Sequence, residues 1–139
     1  MADYHKVGLL VVRDGRVLLC RKDHATSKLI LPGGRIEAGE SHRACLDREI
    51  CEELGGITVT GAAYLGTYED RASLDDPSLI KTVRVELYQG ALEGEPVASS
   101  EIAELVWFGP DDDFSELTPI FVNQILPDLI ARKVLPWPN

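Results

Sequence analysis

Nowhere in these 139 residues does an apolar run approach the ~18 residues that a membrane-spanning helix requires, and the opening Met1-Ala2-Asp3-Tyr4-His5-Lys6 lacks the layout of a signal peptide. A cytoplasmic protein is expected. Cysteine is scarce: Cys20, Cys45 and Cys51 are an odd number without a CxxC pair, which argues against a disulfide framework or a zinc site and for reduced, mostly buried thiols. Basic residues are also few, 14 Lys and Arg against 23 Asp and Glu, for a formal charge of −9. That balance argues against holding a long nucleic acid by phosphate neutralisation. A small anionic substrate remains compatible with it, because divalent cations and a few local basic groups can reverse the field inside a cleft. No repeat, low-complexity stretch or linker interrupts the chain, so residues 1–139 are expected to form a single domain.

Two apolar runs, Val7 to Val12 and Val17 to Cys20, meet across Asp14-Gly15, which predicts strand, turn, strand. Pro32-Gly33-Gly34 stops any regular element after the short run Leu29 to Leu31. From Ser41 to Leu54 no Gly or Pro intervenes, and Ala44, Asp47, Ile50, Cys51 and Leu54 recur at helical spacing, so that face is expected to pack inward. Glu40 or Ser41 opens this helix and Gly55-Gly56 closes it. Ile57 to Tyr68, Ile80 to Tyr88 and Ala103 to Phe108 have strand composition, with a polar loop from Glu69 to Leu79. A last helix begins at Thr118-Pro119, and Pro127 must kink or split it. Strands, helix, strands, helix is the order of an α+β or α/β/α sandwich.

Glu49, Glu52 and Glu53 stand at i, i+3 and i+4 in the final turns of the first helix. Like charges at that spacing repel, and near a helix C-terminus they also oppose the macrodipole. A cation should compensate, and carboxylates in this arrangement suit a hard divalent ion such as Mg²⁺. Glycines beside the helix, Gly33 and Gly34, let backbone approach an ion or phosphate closely.

Gly34, Glu40, Arg48, Glu49, Ile50, Glu52, Glu53 and Gly55 together resemble the signature of the Nudix family: G, five residues, E, seven residues, then R-E-U-x-E-E-x-G-U, with U a bulky aliphatic. The one departure is Gly56, where an aliphatic residue is expected; Ile57 follows one position late. The resemblance implies an α/β/α sandwich with a mixed sheet and Mg²⁺-dependent hydrolysis of a diphosphate bond in a nucleotide-like substrate. Mn²⁺ also meets the same ligand preferences. Carried over position by position, Glu49, Glu52 and Glu53 would hold metal with the backbone carbonyl of Gly33, and Glu49 or Glu53 would serve as general base. Arg48 would orient a metal-binding glutamate, and Glu40 would brace the loop.

Outside the signature, Glu101 and Glu104 precede Trp107-Phe108, and relatives place a further carboxylate in such a segment; Glu104 is favoured. Arg21 and Arg35 flank the Pro-Gly-Gly loop as candidate phosphate donors. His5, His24 and His42 share no spacing and are read as three unrelated histidines without a role. Tyr64, Tyr68, Trp107 and Phe121 are candidates to stack a base, with core packing as the plainer reading. The best expectation is a nucleoside triphosphate, oxidised or not, cut to a monophosphate and pyrophosphate. ADP-ribose or a nucleotide sugar is the alternative substrate, and a non-catalytic nucleotide sensor is the alternative class. Whether the chain forms a homodimer is left open.

Overall fold

The computed structural model describes residues 2–138. Its first strand, β1 (Tyr4–Leu10), does not continue to the turn as the apolar run predicts. The chain breaks at Val11, and β2 (Val12–Arg13) pairs instead with β3 (Arg16–Lys22) in a second sheet. The hairpin itself sits where Asp14-Gly15 places it, both residues having positive φ (51° and 75°), as a primed turn demands. Short strands β4 (Leu29–Ile30) and β5 (Gly33–Arg35) follow, then helix α1 (His42–Glu53).

Strand β6 (Thr58–Arg71), β7 (Thr82–Glu93) and β8 (Ile102–Phe108) complete two four-stranded sheets. The first, in the order β5-β1-β7-β6, is mixed: β1 runs parallel to β7, and the other pairs are antiparallel. In the second, β3 pairs with β2, β4 and β8, all antiparallel. Strand β6 runs on to Arg71 and β7 begins only at Thr82 and runs on to Glu93, so the polar loop between them moves to residues 72–81.

Ser41 caps α1, its hydroxyl accepting from the Ala44 N–H at 3.1 Å. At the other end Gly55 and Gly56 both take positive φ, which stops the helix. The inward face, however, is Cys45, Leu46, Ile50, Glu53 and Leu54, with Ala44, Asp47 and Cys51 exposed. The expected face is therefore corrected in part: Ile50 and Leu54 point inward as expected, while Cys45, Leu46 and Glu53 take the places given to Ala44, Asp47 and Cys51. That stripe packs against Val7, Leu9, Leu18 and Cys20 on one side of the sheets.

A separate core on the opposite side joins Val83, Val85 and Leu87 of β7 to the C-terminal helical segment through Phe121, Ile125 and Leu129. Helix, sheets and helix are thus layered as expected. A π-helical turn over Phe121–Ile125 runs into α2 (Leu126–Ala131), with the Leu126 N–H bonded back to the Phe121 carbonyl. Pro127 explains it. A proline ring collides with the carbonyl four residues earlier and offers no N–H, so the preceding turn widens rather than breaking the helix. Trp137 is buried against Phe108 and donates from Nε1 to the Gly15 carbonyl at 2.7 Å, which fastens the tail to the first hairpin.

Candidate active site

The buried stripe of α1 determines which glutamates reach the interior. At ~100° per residue, Glu53 lies about 40° to one side of Glu49 and Glu52 about 60° to the other. Glu53 is accordingly buried, Glu49 is mostly covered and Glu52 is half exposed to water. The structure gathers Glu49 and Glu53 at one wall and leaves Glu52 at its solvent edge.

Strand β5 packs directly on this wall, which only glycine permits. A Cβ on Gly34 would stand 2.3 Å from the Glu49 carboxyl carbon; one on Gly33, whose φ is +144°, would stand 2.0 Å from the Val7 carbonyl oxygen. The Gly33 N–H donates to Glu53 Oε1 at 2.9 Å. Burial still dominates: it pushes the Glu53 carboxyl up to about 7, the Gly33 bond opposing and the Glu49 charge adding to the rise. Burial raises Glu49 as well, offset in part by Arg48.

Arg48 is a brace. Its Nε and Nη2 donate to both oxygens of Glu40 at 2.8 and 3.0 Å, and its Nη1 donates to Glu49 Oε1 at 2.9 Å. The fork holds the Glu40 carboxyl down at about 2, and ties the loop before α1 to the catalytic wall.

One cleft of about 440 Å³ is lined by Glu49 and Glu53 and by Lys6, Lys22 and Arg35. Lys6 is half-buried, and burial and the neighbouring Lys22 charge lower its amine, against the pull of Glu53. Arg35 lies over the Tyr4 ring, 4.5 Å from its centroid. The lining of the cleft also includes the apolar Leu31, Val83, Val85, Phe121 and Ile125. Acids, bases and apolar groups in one cavity suit a substrate with a phosphate chain and a flat hydrophobic group.

Some expected residues lie elsewhere. Arg21 does not line the cleft: its guanidinium donates to Glu104 at 2.7 Å, to Glu116 at 3.3 Å and to the Ser27 carbonyl. Glu104 is therefore a surface partner of Arg21, cross-strand from it in the β3–β8 register. The preference for Glu104 gives way on geometry to Glu101, which lines the cleft 3.9 Å from the Lys22 amine. Of the four aromatic candidates only Phe121 lines the cavity, joined by Tyr4. Tyr68 donates to Asp128 at 2.5 Å and Trp107 lies beneath Arg13, both outside it.

Lys6 and Lys22 were missed. Alternation along β1 was the available signal for Lys6: it shares a face with Gly8 and pairs in register with Arg35. For Lys22 the same alternation along β3 was available, since it follows Leu18 and Cys20 on the face packed against α1; the register shift beside it adds its extra residue, Ala103, to β8. The histidines are not three unrelated groups either. His24 lines the cleft, and His5 meets His42 on the other side of the sheet, ring centroids 6.1 Å apart.

The chain is similar to several known proteins. The chain is 36% identical over 100 residues, 70% of its length and 67% of the relative's, to the Mycobacterium tuberculosis protein named "Putative 8-oxo-dGTP diphosphatase 2". Identity to the CTP pyrophosphohydrolase of Escherichia coli is 34% over 70 residues, 48% of this chain and 51% of that one. The crystal structure of a MutT Nudix hydrolase from Burkholderia pseudomallei superposes with a TM-score of 0.66 at 30% identity, covering 79% of this chain and 85% of the other. The NUDIX domain profile matches residues 4–128. With residues 4–128 matched, the chain belongs to the Nudix family and is a hydrolase of diphosphate bonds.

Proposed function

We propose that this enzyme cuts a nucleoside triphosphate, with oxidised purine nucleotides included, to a monophosphate and pyrophosphate in a Mg²⁺-dependent reaction. The observation that carries the reading is the make-up of one cleft, lined by the acids Glu49 and Glu53, the bases Lys6, Lys22 and Arg35, and the apolar Leu31, Val83, Val85, Phe121 and Ile125. The names of two relatives, one an 8-oxo-dGTP diphosphatase and one a CTP pyrophosphohydrolase, support a triphosphate over ADP-ribose. Two interlocked cores, each drawing residues from both sheets, support a single domain.

Nudix hydrolases use a divalent metal ion, and the residues here fit one. Two desolvated carboxylates of like charge, with Arg48 neutralising only part of it, form a site that a hard cation would balance. Glu49 and Glu53 would hold it, with Glu52 completing the set from the solvent side and the Gly33 carbonyl as the further ligand. When bound, Mg²⁺ would supply charge stabilisation on the phosphoryl oxygens and lower the pKa of water. Lys6, Lys22 and Arg35 would bind the phosphate chain, and Arg48 would hold Glu49 in place. Glu53 is suited to take a proton, as a carboxyl pushed toward neutrality by burial. Glu101, which also lines the cleft, would join the site. Free Cys20 and Cys45, both buried, and exposed Cys51 fit a reducing, cytoplasmic setting.

The test is product analysis over oxidised and ordinary nucleoside triphosphates, ADP-ribose and nucleotide sugars. Monophosphate plus pyrophosphate from a triphosphate is expected; turnover confined to ADP-ribose or nucleotide sugars would overturn the assignment. Within that assay, Lys22→Met is expected to raise KM by ~10-fold or more through loss of a charge-assisted bond. Arg21→Ala, which removes contacts to Glu104, Glu116 and the Ser27 carbonyl outside the cleft, should stay within about twofold.

A further inference from the structure

We propose a second metal site, for a borderline divalent ion such as Zn²⁺, formed by His5, His42 and Glu86 on the side of the mixed sheet away from the cleft. Among the described residues, this is the one trio of His, Cys, Asp or Glu whose donor atoms all lie within 4.8 Å of one another. It is built from three separate elements: His5 on β1, Glu86 on β7 and His42 as the first residue of α1. Val83 and Val85 line the cleft, so Glu86, one position on in the strand alternation, faces the other way.

The carboxylate is arranged as a ligand. Glu86 is only 3% exposed. Its Oε1 accepts from the Tyr64 hydroxyl at 3.3 Å and from the Thr67 hydroxyl, which leaves Oε2 turned to His5 Nε2 at 2.6 Å. His42 Nδ1 is engaged with the Tyr88 hydroxyl at 3.2 Å, and Nε2 is the nitrogen left to coordinate. The bonds on the far atoms of Glu86 and His42 follow the outer-shell pattern that fixes imidazole tautomer and carboxylate orientation in metal sites.

Ligand atoms ~2.0–2.2 Å from one ion stand roughly 3.4 Å apart in a tetrahedron, and two His with one Glu leave the fourth position open. Small rotations of His5 and His42 meet that requirement, the ion replacing the proton shared by His5 and Glu86. Imidazole nitrogen favours Zn²⁺, Ni²⁺ or Cu²⁺ over Mg²⁺, which separates this site from the carboxylate wall. Arg84 is the competing charge, its Nε 3.2 Å from Glu86 Oε2, but its side chain is half exposed and free to turn outward. An ion here would pin β1 and β7 to the start of the helix that carries Glu49 and Glu53.

The experiment is a Zn²⁺ titration of the metal-stripped full chain in millimolar Mg²⁺, so that the carboxylate wall is occupied, followed by calorimetry and by histidine side-chain NMR. One equivalent is expected to bind and to shift the imidazole nitrogens of His5 and His42 while those of His24 stay in place. His42→Ala should weaken binding at least ~10-fold, and Arg84→Gln should tighten it. Unmoved His5 and His42 signals in the wild-type protein, or an affinity unchanged in His42→Ala, would overturn the site. The NMR reading needs no variant, so a misfolded mutant does not protect the proposal.

Discussion

Replacing Gly34 by alanine is expected to cut turnover by ~100-fold or more while shifting the melting temperature only slightly, because a displaced catalytic group costs far more in rate than in stability. The new methyl would stand 2.3 Å from the Glu49 carboxyl carbon, the far end of a side chain that can turn aside. Turning aside removes Glu49 from the wall and from the Arg48 Nη1 that donates to it. Gly33→Ala is the contrasting case. There the methyl meets the Val7 backbone carbonyl at 2.0 Å with φ at +144°, so β5 must separate from β1 and the fold itself suffers. Steady-state kinetics beside thermal melts distinguishes the two; equal loss of stability in both variants would contradict the reading of Gly34.

Glu53→Gln is expected to do two opposite things, lowering turnover by ~10²–10⁴-fold and raising the stability of the metal-free protein above neutral pH. The sign follows from burial, which lifts the Glu53 carboxyl from 4.5 in a free chain to about 7 in the fold. Between those values the folded state holds a proton that the unfolded chain has released. Glu53 therefore contributes stability fully below pH 4.5 and loses it as pH rises through about 7. The loss amounts to about 2–3 kcal/mol, which corresponds to a melting shift on the order of 10 °C. Glutamine has no charge to bury, so the variant should melt above wild type at pH 8 without divalent metal, and near it at pH 5. Mg²⁺ should close the gap by stabilising wild type alone. Identical melting curves for the two proteins at pH 8 without metal would contradict an uncompensated buried charge at Glu53.

The parts legible in the sequence are those fixed by short-range geometry. Ser41 as cap, Gly55 as stop and Asp14-Gly15 as turn each depend on a few consecutive residues, and each stands where expected. The charged positions of α1 were legible for the same reason, and spacing on one helix also explains the divergence of Glu52. What could not be read depends on pairing between distant segments. Arg21 is drawn from its expected phosphate role by the β3–β8 register, which sets it opposite Glu104, and Glu101 is held beside the cleft just before β8, its carbonyl accepting from the Asp23 N–H. His5 and His42, 37 positions apart by numbering, meet because β1 passes beneath the start of α1. The break at Val11 was equally hidden, since a continuous apolar run suits one strand as well as two strands that change sheets.

One measurement bears most directly on the glutamate wall as the metal-dependent hydrolytic centre: pyrophosphate release from the best triphosphate as Mg²⁺ is added to metal-stripped enzyme, wild type beside the Glu49→Gln/Glu53→Gln double variant. Wild type is expected to be inactive without the ion and to rise to a plateau with it, while the folded double variant stays flat. Wild-type rates in the double variant, or turnover by wild type that persists under chelation, would place the chemistry elsewhere in the protein.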